Sequence, residues 1–171
     1  KRQVGKSPTY NVYAWGSSVG ISNFDVLYPT ALLNQNNIFA NKFSPFVSVS
    51  SDGSHVAAIR SDGSMWTIGQ SQNNSGAAGN GSTLPISSPV QIGTSSWVAT
   101  SSGYFTGYGI DANGRLFSWG QADLGQLGDS TTVAKSSPVQ VGTSSWSLIS
   151  SGYQWTAAID SVGRLFAWGS N

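Results

Sequence analysis

Few side chains in this chain are equipped for acid–base or metal chemistry. His55 is the single histidine, there is no cysteine and no glutamate, and the seven acidic residues are all Asp. A hydrolytic triad needs a base, and His55 stands at the head of the run Val56-Ala-Ala-Ile59, which reads as a buried strand, so a hydrogen-bonded structural role is expected. No thiol nucleophile exists, and a zinc site would need a His/Cys cluster that is absent. Asp52, Asp62, Asp111 and Asp129 sit in turn-forming stretches, where a carboxylate caps backbone amides. Asp123 and Asp129 bracket Gly125-Gln-Leu-Gly128 without the alternating acidic pattern of a calcium loop. No Lys-Ser/Thr follows those glycines, so a tight turn is expected there rather than a phosphate cradle. The remaining chemistry is aromatic: seven Trp, whose indoles stack on sugar faces when exposed and pack as large apolar bodies when buried.

Spacing decides between those two uses. Ser88–Trp97 reads SPVQIGTSSW and Ser137–Trp146 reads SPVQVGTSSW. Ile110–Gly120 reads IDANGRLFSWG and Ile159–Gly169 reads IDSVGRLFAWG, again 49 residues apart. A weaker copy, IRSDGSMWTIG, spans Ile59–Gly69, and VYAWG at Val12–Gly16 is a truncated fourth. Phe46 holds the place of Trp97 and Trp146. Such self-similarity marks a chain built from one supersecondary unit. Trp15, Trp119 and Trp168 close successive units, Trp97 and Trp146 open them, and each is expected to pack between units. Trp155 occurs once. With Tyr153, Tyr104 and Phe105 it is the aromatic set a surface site would use, although core packing is the expected role.

Each unit has the texture of a small antiparallel sheet. Along Leu116–Trp119, Phe117 and Trp119 share one face while Leu116 and Ser118 share the other. Asp111-Ala-Asn-Gly114 before it is hairpin-turn chemistry, echoed by Ser61-Asp-Gly63 and Ser161-Val-Gly163. Short apolar runs with regular turns predict an all-β array. Pro29 to Phe46 spans more residues than Pro89 to Trp97, which places an insertion within Thr30–Phe43, with one helical turn expected inside it.

The series SPVQVG, Trp146, Ser-Ser-Gly152, Ala-Ala-Ile-Asp160 and Gly-Arg-Leu-Phe-Ala-Trp-Gly169, with Gly125-Gln-Leu-Gly-Asp129 after a Trp-Gly strand end, resembles the RCC1 repeat. Gly76-Ala-Ala-Gly79 keeps both glycines one period earlier. The resemblance runs from about Val12 to Asn171 and implies four-stranded blades packed radially around a channel. It also implies structural roles for Trp15, Gly16, Trp97, Gly103, Trp119, Gly120, Gly125, Gly128, Trp146, Gly152, Trp168 and Gly169. The family's histidine is matched by His55, with Thr106 and Trp155 at the equivalent places. The expected division is a tail or linker at 1–11, a partial blade at 12–28, and blades at about 29–69, 70–120 and 121–169. The family has seven blades and this chain about three and a third, so the ring is incomplete here. Either the residues are a segment of a longer chain, the favoured reading, or neighbouring copies complete the propeller.

Eight basic residues against seven acidic leave a formal charge of +1, without the basic stripe of a nucleic-acid binder. Lys1, Arg2 and Lys6 read as a solvated tail. No run approaches the length of a membrane span. Low charge and a Ser/Thr/Gly/Asn-rich surface resemble extracellular or virion-surface repeat proteins of bacterial or phage type. The expectation is a non-catalytic structural and interaction module, without cofactor or metal, in an adhesin-like or phage tail or fibre protein. It would bind another protein or a surface glycan through Leu33–Lys42, Gln70–Thr83 and Gln121–Ser136, where matched units differ. Asn36, Asn37, Asn73, Asn74, Asn80, Asp123 and Trp155 are the candidate contact residues. Replacing Gln70–Thr83 should weaken binding and leave stability nearly unchanged. The resemblance implies one alternative, nucleotide exchange on a small GTPase, though no acidic or wedge-like loop carries over. Lectin-like sugar binding is a third reading, resting on the aromatics.

Overall fold

In a computed structural model, residues 44–70 and 75–170 are described in full and 12–16 and 26–33 by backbone alone. All of the described regular structure is β-strand. β1 (Val12–Gly16) and β2 (Val26–Leu33) form an antiparallel pair. β3 (Phe46–Ser51), β4 (His55–Arg60), β5 (Met65–Gly69) and β6 (Ile86–Gln91) form a four-stranded meander. β7 (Trp97–Gly103), β8 (Thr106–Asp111), β9 (Leu116–Gly120) and β10 (Lys135–Gln140) form a second. β11 (Trp146–Ser151), β12 (Trp155–Asp160) and β13 (Leu165–Gly169) form a three-stranded sheet in the same order. The sheets are not closed into a ring. Their all-β, blade-like architecture is the one expected.

The helical turn expected within Thr30–Phe43 does not occur over Thr30–Leu33. Those residues extend β2, with Ala14 opposite Thr30 and Tyr13 opposite Ala31, so their backbone groups are spent on a strand ladder. The rest of that insertion lies outside the described residues.

The hairpin turns explain why the strands break where they do. The Asp111 carboxylate accepts the N–H groups of Asn113 and Arg115, both at 2.9 Å, and Gly114 adopts φ +77°. Arg115 Nε returns to the same carboxylate at 2.8 Å. Asp160 repeats the arrangement with Val162 and Arg164. In the first meander Arg60 and Ser64 replace the Asp and Arg. Gly63 keeps the positive φ, and Asp62 takes over as the cap by accepting Ser64 N–H.

Sequence units and sheets are offset by one strand. The SPVQ strands β6 and β10, which open the units at about 70–120 and 121–169, hydrogen-bond to the preceding β5 and β9. Each complete sheet therefore borrows its fourth strand from the next unit.

Neighbouring sheets meet through a repeated joint. Trp97 and Trp119 of the second meander, edge-to-face with centroids 6.2 Å apart, cover Ile59, Met65 and Ile92 of the first. Trp146 and Trp168, 6.1 Å apart, cover Ile110, Leu116 and Val141 in the same way. Leu116, Ser118 and Trp119 are all fully buried, because this sheet is packed on both faces. The first strand β3 lies against β7, and β7 against β11. A serine ladder ties them. Ser102 N–H donates to Ser50 Oγ at 2.8 Å, and Ser151 N–H donates to Ser101 Oγ at 3.0 Å. The Ser-Ser pairs near the ends of β3 and β7 are thus inter-sheet connectors, with one hydroxyl of each accepting from the backbone of the next sheet.

Candidate functional site

The strand order sorts the connections onto two rims. First and third strands end, and second and fourth begin, on one rim. It carries residues 52–54, 103–105 and 152–154, the described residues 75–85 of one long connection, and the long loop 121–134. The opposite rim carries the tight Asp62-Gly63, Asn113-Gly114 and Val162-Gly163 hairpins and the Gly-Thr-Ser-Ser links. Gln70, Ser75–Thr83, Gln121–Ser136, Asn80, Asp123 and Trp155 are thereby brought to one side. Asn36, Asn37, Asn73 and Asn74 fall outside the described residues. Leu33 sits opposite Val12, at the far end of its strand pair from Gly16, and 34–42 is also outside.

The long loops have a buried half and an exposed half. Each Gly-x-x-Gly stretch clasps the closing indole of the following sheet. Trp119 Nε1–H donates to the Ala77 carbonyl at 3.0 Å, and Trp168 Nε1–H to the Gln126 carbonyl at 2.8 Å. A Cβ on Gly79 would meet the Trp119 indole nitrogen at 2.6 Å, and one on Gly128 the Trp168 nitrogen at 2.6 Å. Both glycines also need positive φ, +71° and +68°. The signature is therefore an indole clasp between sheets. Ala77 and Ala78 are completely buried, so replacing all of Gln70–Thr83 would dismantle a joint, contrary to the expectation of unchanged stability; Leu127 is buried likewise in the next loop.

The exposed half is shaped by its own polar side chains. Asn80 Oδ1 accepts Ser82 N–H at 3.1 Å. Asp123 Oδ1 accepts from Gln126 Nε2 at 3.2 Å, while Gln126 Oε1 accepts Leu124 N–H. Asp129 accepts Thr131 N–H and hydroxyl and lies 3.5 Å from Lys135 Nζ. Burial would raise the Asp129 carboxyl, but the Thr131 hydrogen bonds and the Lys135 charge outweigh it and hold it below its ordinary value. Leu84 and Val133, one period apart, stand out from this polar setting at 66% and 63% exposed. Sequence reasoning missed them. The available signal was an apolar residue recurring in phase just before each SPVQ strand. An open groove of about 690 Å³ runs between Gly125–Val133 and Trp168.

The aromatic set divides. Tyr104 and Tyr153 stack at 4.5 Å between centroids. Phe105 is buried, and Trp155 is 59% exposed, which corrects the expectation that it packs in the core. Its in-phase equivalents His55 and Thr106 are both 2% exposed, because each has a following sheet over it. Trp97, Trp119 and Trp146 are buried, while Trp168, in phase with Trp119, is only half-buried because no described sheet follows it.

His55 is buried, with Nδ1 3.1 Å from Ser54 Oγ and 3.3 Å from Asp52. Its Nε2 has no hydrogen-bond partner among the described residues. Asp52 accepts the backbone N–H groups of Ser54 and His55 and reaches Phe105 N–H of the next sheet at 3.2 Å. Burial pushes the Asp52 carboxyl upward, and the His55 and Ser54 hydrogen bonds more than reverse it. Ser54 Oγ is itself spent on that carboxylate, so these three neighbours clamp a turn and dock the next sheet. Among the described residues no three acidic or imidazole groups converge on a possible metal position. No helix there is long and apolar enough to cross a membrane.

Comparison with known proteins agrees with this geometry. Residues 113–159 match the family model of the regulator of chromosome condensation (RCC1) repeat. No curated protein matches the chain significantly. Among solved structures, human WBSCR16 superposes with a TM-score of 0.74 and 21% identity over 93% of this chain and 43% of its own. Prp20p from Saccharomyces cerevisiae, studied for its binding to Gsp1p and histones, gives 0.75 and 19% over 96% and 42%. Yeast RCC1 (Prp20) bound to Kap60 gives 0.73 and 18% over 95% and 41%. The chain spans less than half the length of each. The RCC1 resemblance holds for the repeat and for the blade fold.

Proposed function

We propose that this chain is a non-catalytic interaction module that recognises another protein or a surface glycan through its long-loop rim. One observation carries the reading. The exposed halves of the two repeat-specific loops, the in-phase Leu84 and Val133, and the Tyr104–Tyr153 stack all fall on one side of a rigid set of sheets. Exposed apolar residues rimmed by polar loops are the usual composition of a recognition surface. Protein binding by structures of the same fold, Prp20p with Gsp1p and histones, lends support by analogy. Low charge and the Ser/Thr/Gly/Asn-rich composition support an extracellular or virion-associated setting, in a bacterial or phage tail or fibre-like protein. Assembly with further repeat units is a second part of the reading, favoured by the uncovered face of the last sheet. The exchange-factor alternative rests on resemblance of fold, without a loop to carry it.

The test compares the chain with a Leu84→Ser/Val133→Ser/Tyr153→Ala variant on a glycan array, in capture of extracellular and virion proteins, and in labelled-nucleotide exchange on a small GTPase. Binding that the variant loses, with an unchanged melt, supports the rim. Equal binding by both, or accelerated exchange, overturns it.

A further inference from the structure

Tyr104 and Tyr153 bring two phenols together at the joint between the second and third sheets. Their rings are stacked, with centroids 4.5 Å apart and planes 30° from parallel. They hold equivalent places in the connections between first and second strands, 49 residues apart in sequence. The backbone beneath them is tied at several points. Tyr104 N–H donates at 3.4 Å to the carbonyl of Gly152, the residue directly before Tyr153. Ser151 N–H donates to Ser101 Oγ at 3.0 Å, and the Ser101 and Ser151 hydroxyls share a hydrogen bond at 2.7 Å. Gly103 permits this approach, since a Cβ there would meet Gly152 O at 2.7 Å. Tyr104 is also held from behind. The Phe105 ring centroid lies 3.9 Å from it, and Phe105 is buried at φ +60°, a conformation that a bulky residue keeps only when its surroundings impose it. The two phenols therefore face each other with little freedom to drift apart, Tyr104 half-buried and Tyr153 open to solvent. The joint between the first and second sheets has no such pair. Gly53 stands in the equivalent place, and the Asp52 carboxylate accepting Phe105 N–H makes the tie instead. Tyr108, the remaining tyrosine described with its side chain, is fully buried and donates its hydroxyl to Gln126 O. The chain has no cysteine, so no disulfide can cross-link any of its joints.

We infer that Tyr104 and Tyr153 form an oxidative modification site, at which an oxidant of the haem-peroxidase class, fed by hydrogen peroxide, joins the rings as dityrosine and locks the two sheets covalently. Each phenol gives up one electron and its hydroxyl proton. The two phenoxyl radicals couple through carbons ortho to the oxygens. Each ortho hydrogen then moves to the oxygen of its own ring, which restores both phenols. One peroxide accepts the two electrons and the two protons and leaves as two waters. The protein supplies position, because two radicals formed on rings already in contact couple faster than the same groups meeting by diffusion. The lock lies beyond the binding role of the rim and does not depend on what the rim binds.

The test treats the full chain with a haem peroxidase and equimolar hydrogen peroxide. The expected product is a monomer lighter by two hydrogen atoms, with dityrosine fluorescence and a digest fragment that joins the Tyr104 and Tyr153 peptides. The bond closes a loop of 49 residues in the unfolded chain, so Tm should rise by roughly 5–15 °C. Tyr104→Phe and Tyr153→Phe keep the stacked ring and should melt with the untreated parent, yet each should lose the joined fragment and nearly all of the fluorescence. Hydrogen loss of the parent's extent in either Phe variant overturns the inference. So do covalent dimers in place of the intramolecular bond, oxygen added at Trp155 in place of hydrogen loss, or an equal yield from the chain unfolded in urea. A bond formed without any rise in Tm overturns the lock. A Leu84→Ser/Val133→Ser chain should cross-link as the parent does, so failure here and failure of the rim reading are told apart.

Discussion

Trp119→Ala removes the side chain on which the clasp and the sheet joint converge. The indole is 0% exposed, stands edge-to-face with Trp97, and donates to the Ala77 carbonyl of the preceding sheet's loop. A Trp buries ~150–250 Å². At ~25 cal/mol per Å² that is about 4–6 kcal/mol of transfer free energy, an upper figure because the unfolded chain is itself partly compact. Measured Trp-to-Ala losses run ~3–5 kcal/mol. Ala77 O is left without its donor, which costs ~1 kcal/mol. A loss of about 4 kcal/mol follows, or a Tm drop of about 8–16 °C for a domain of this size. Trp168 makes the equivalent hydrogen bond but is only half-buried, so Trp168→Ala should cost about half as much. Trp119→Phe, which keeps most of the ring area, should cost ~1–2 kcal/mol. Differential scanning calorimetry on the three variants checks the order. A Tm for Trp119→Ala within ~3 °C of the parent would refute the clasp as a structural joint.

Two further outcomes follow from the loops and turns. Gly128→Ala and Gly125→Ala both place a side chain at positive φ, but only the Gly128 Cβ meets the Trp168 indole, while Gly125 has nothing within 4 Å. Gly125→Ala should cost ~1 kcal/mol and Gly128→Ala ~2 kcal/mol more, read from urea midpoints. Asp111 supplies a pH dependence. Burial raises its carboxyl, and the Arg115 hydrogen bonds and charge outweigh that, so its folded value lies below the ordinary one. The stabilisation is full above the ordinary carboxylate range and is lost as pH falls through the depressed folded value. Asp111→Asn should therefore flatten the acid limb of a melt-versus-pH curve, and an unchanged limb would count against the Asp111–Arg115 fork.

Much of the fold was legible because the period is written in large side chains and glycines. Trp97, Trp119, Trp146 and the Asp111 and Asp160 turns fall where their spacing places them, since burial between equivalent sheets imposes the same residue at the same register. The strand-by-strand boundary was not legible. Pro-Val-Gln reads as the start of the next unit, and only backbone pairing tells that it belongs to the sheet before. Trp155 misled for a related reason. Its phase matches a covered position, yet cover comes from the following sheet and not from the residue itself. The contact segments looked like free loops because Ala77, Ala78 and Leu127 are small or ordinary apolar residues. Nothing in their identity announces that an indole from elsewhere presses on them.

The one-strand offset between unit and sheet has an evolutionary consequence. An in-phase duplication or deletion of one 49-residue stretch, wherever the crossover falls, brings or removes one complete complement of strands. Every interior sheet on either side stays whole, because the lent strand and the borrowed strand are the same by descent. Such a gene can change its number of repeats without passing through a chain whose interior sheets are short of a strand.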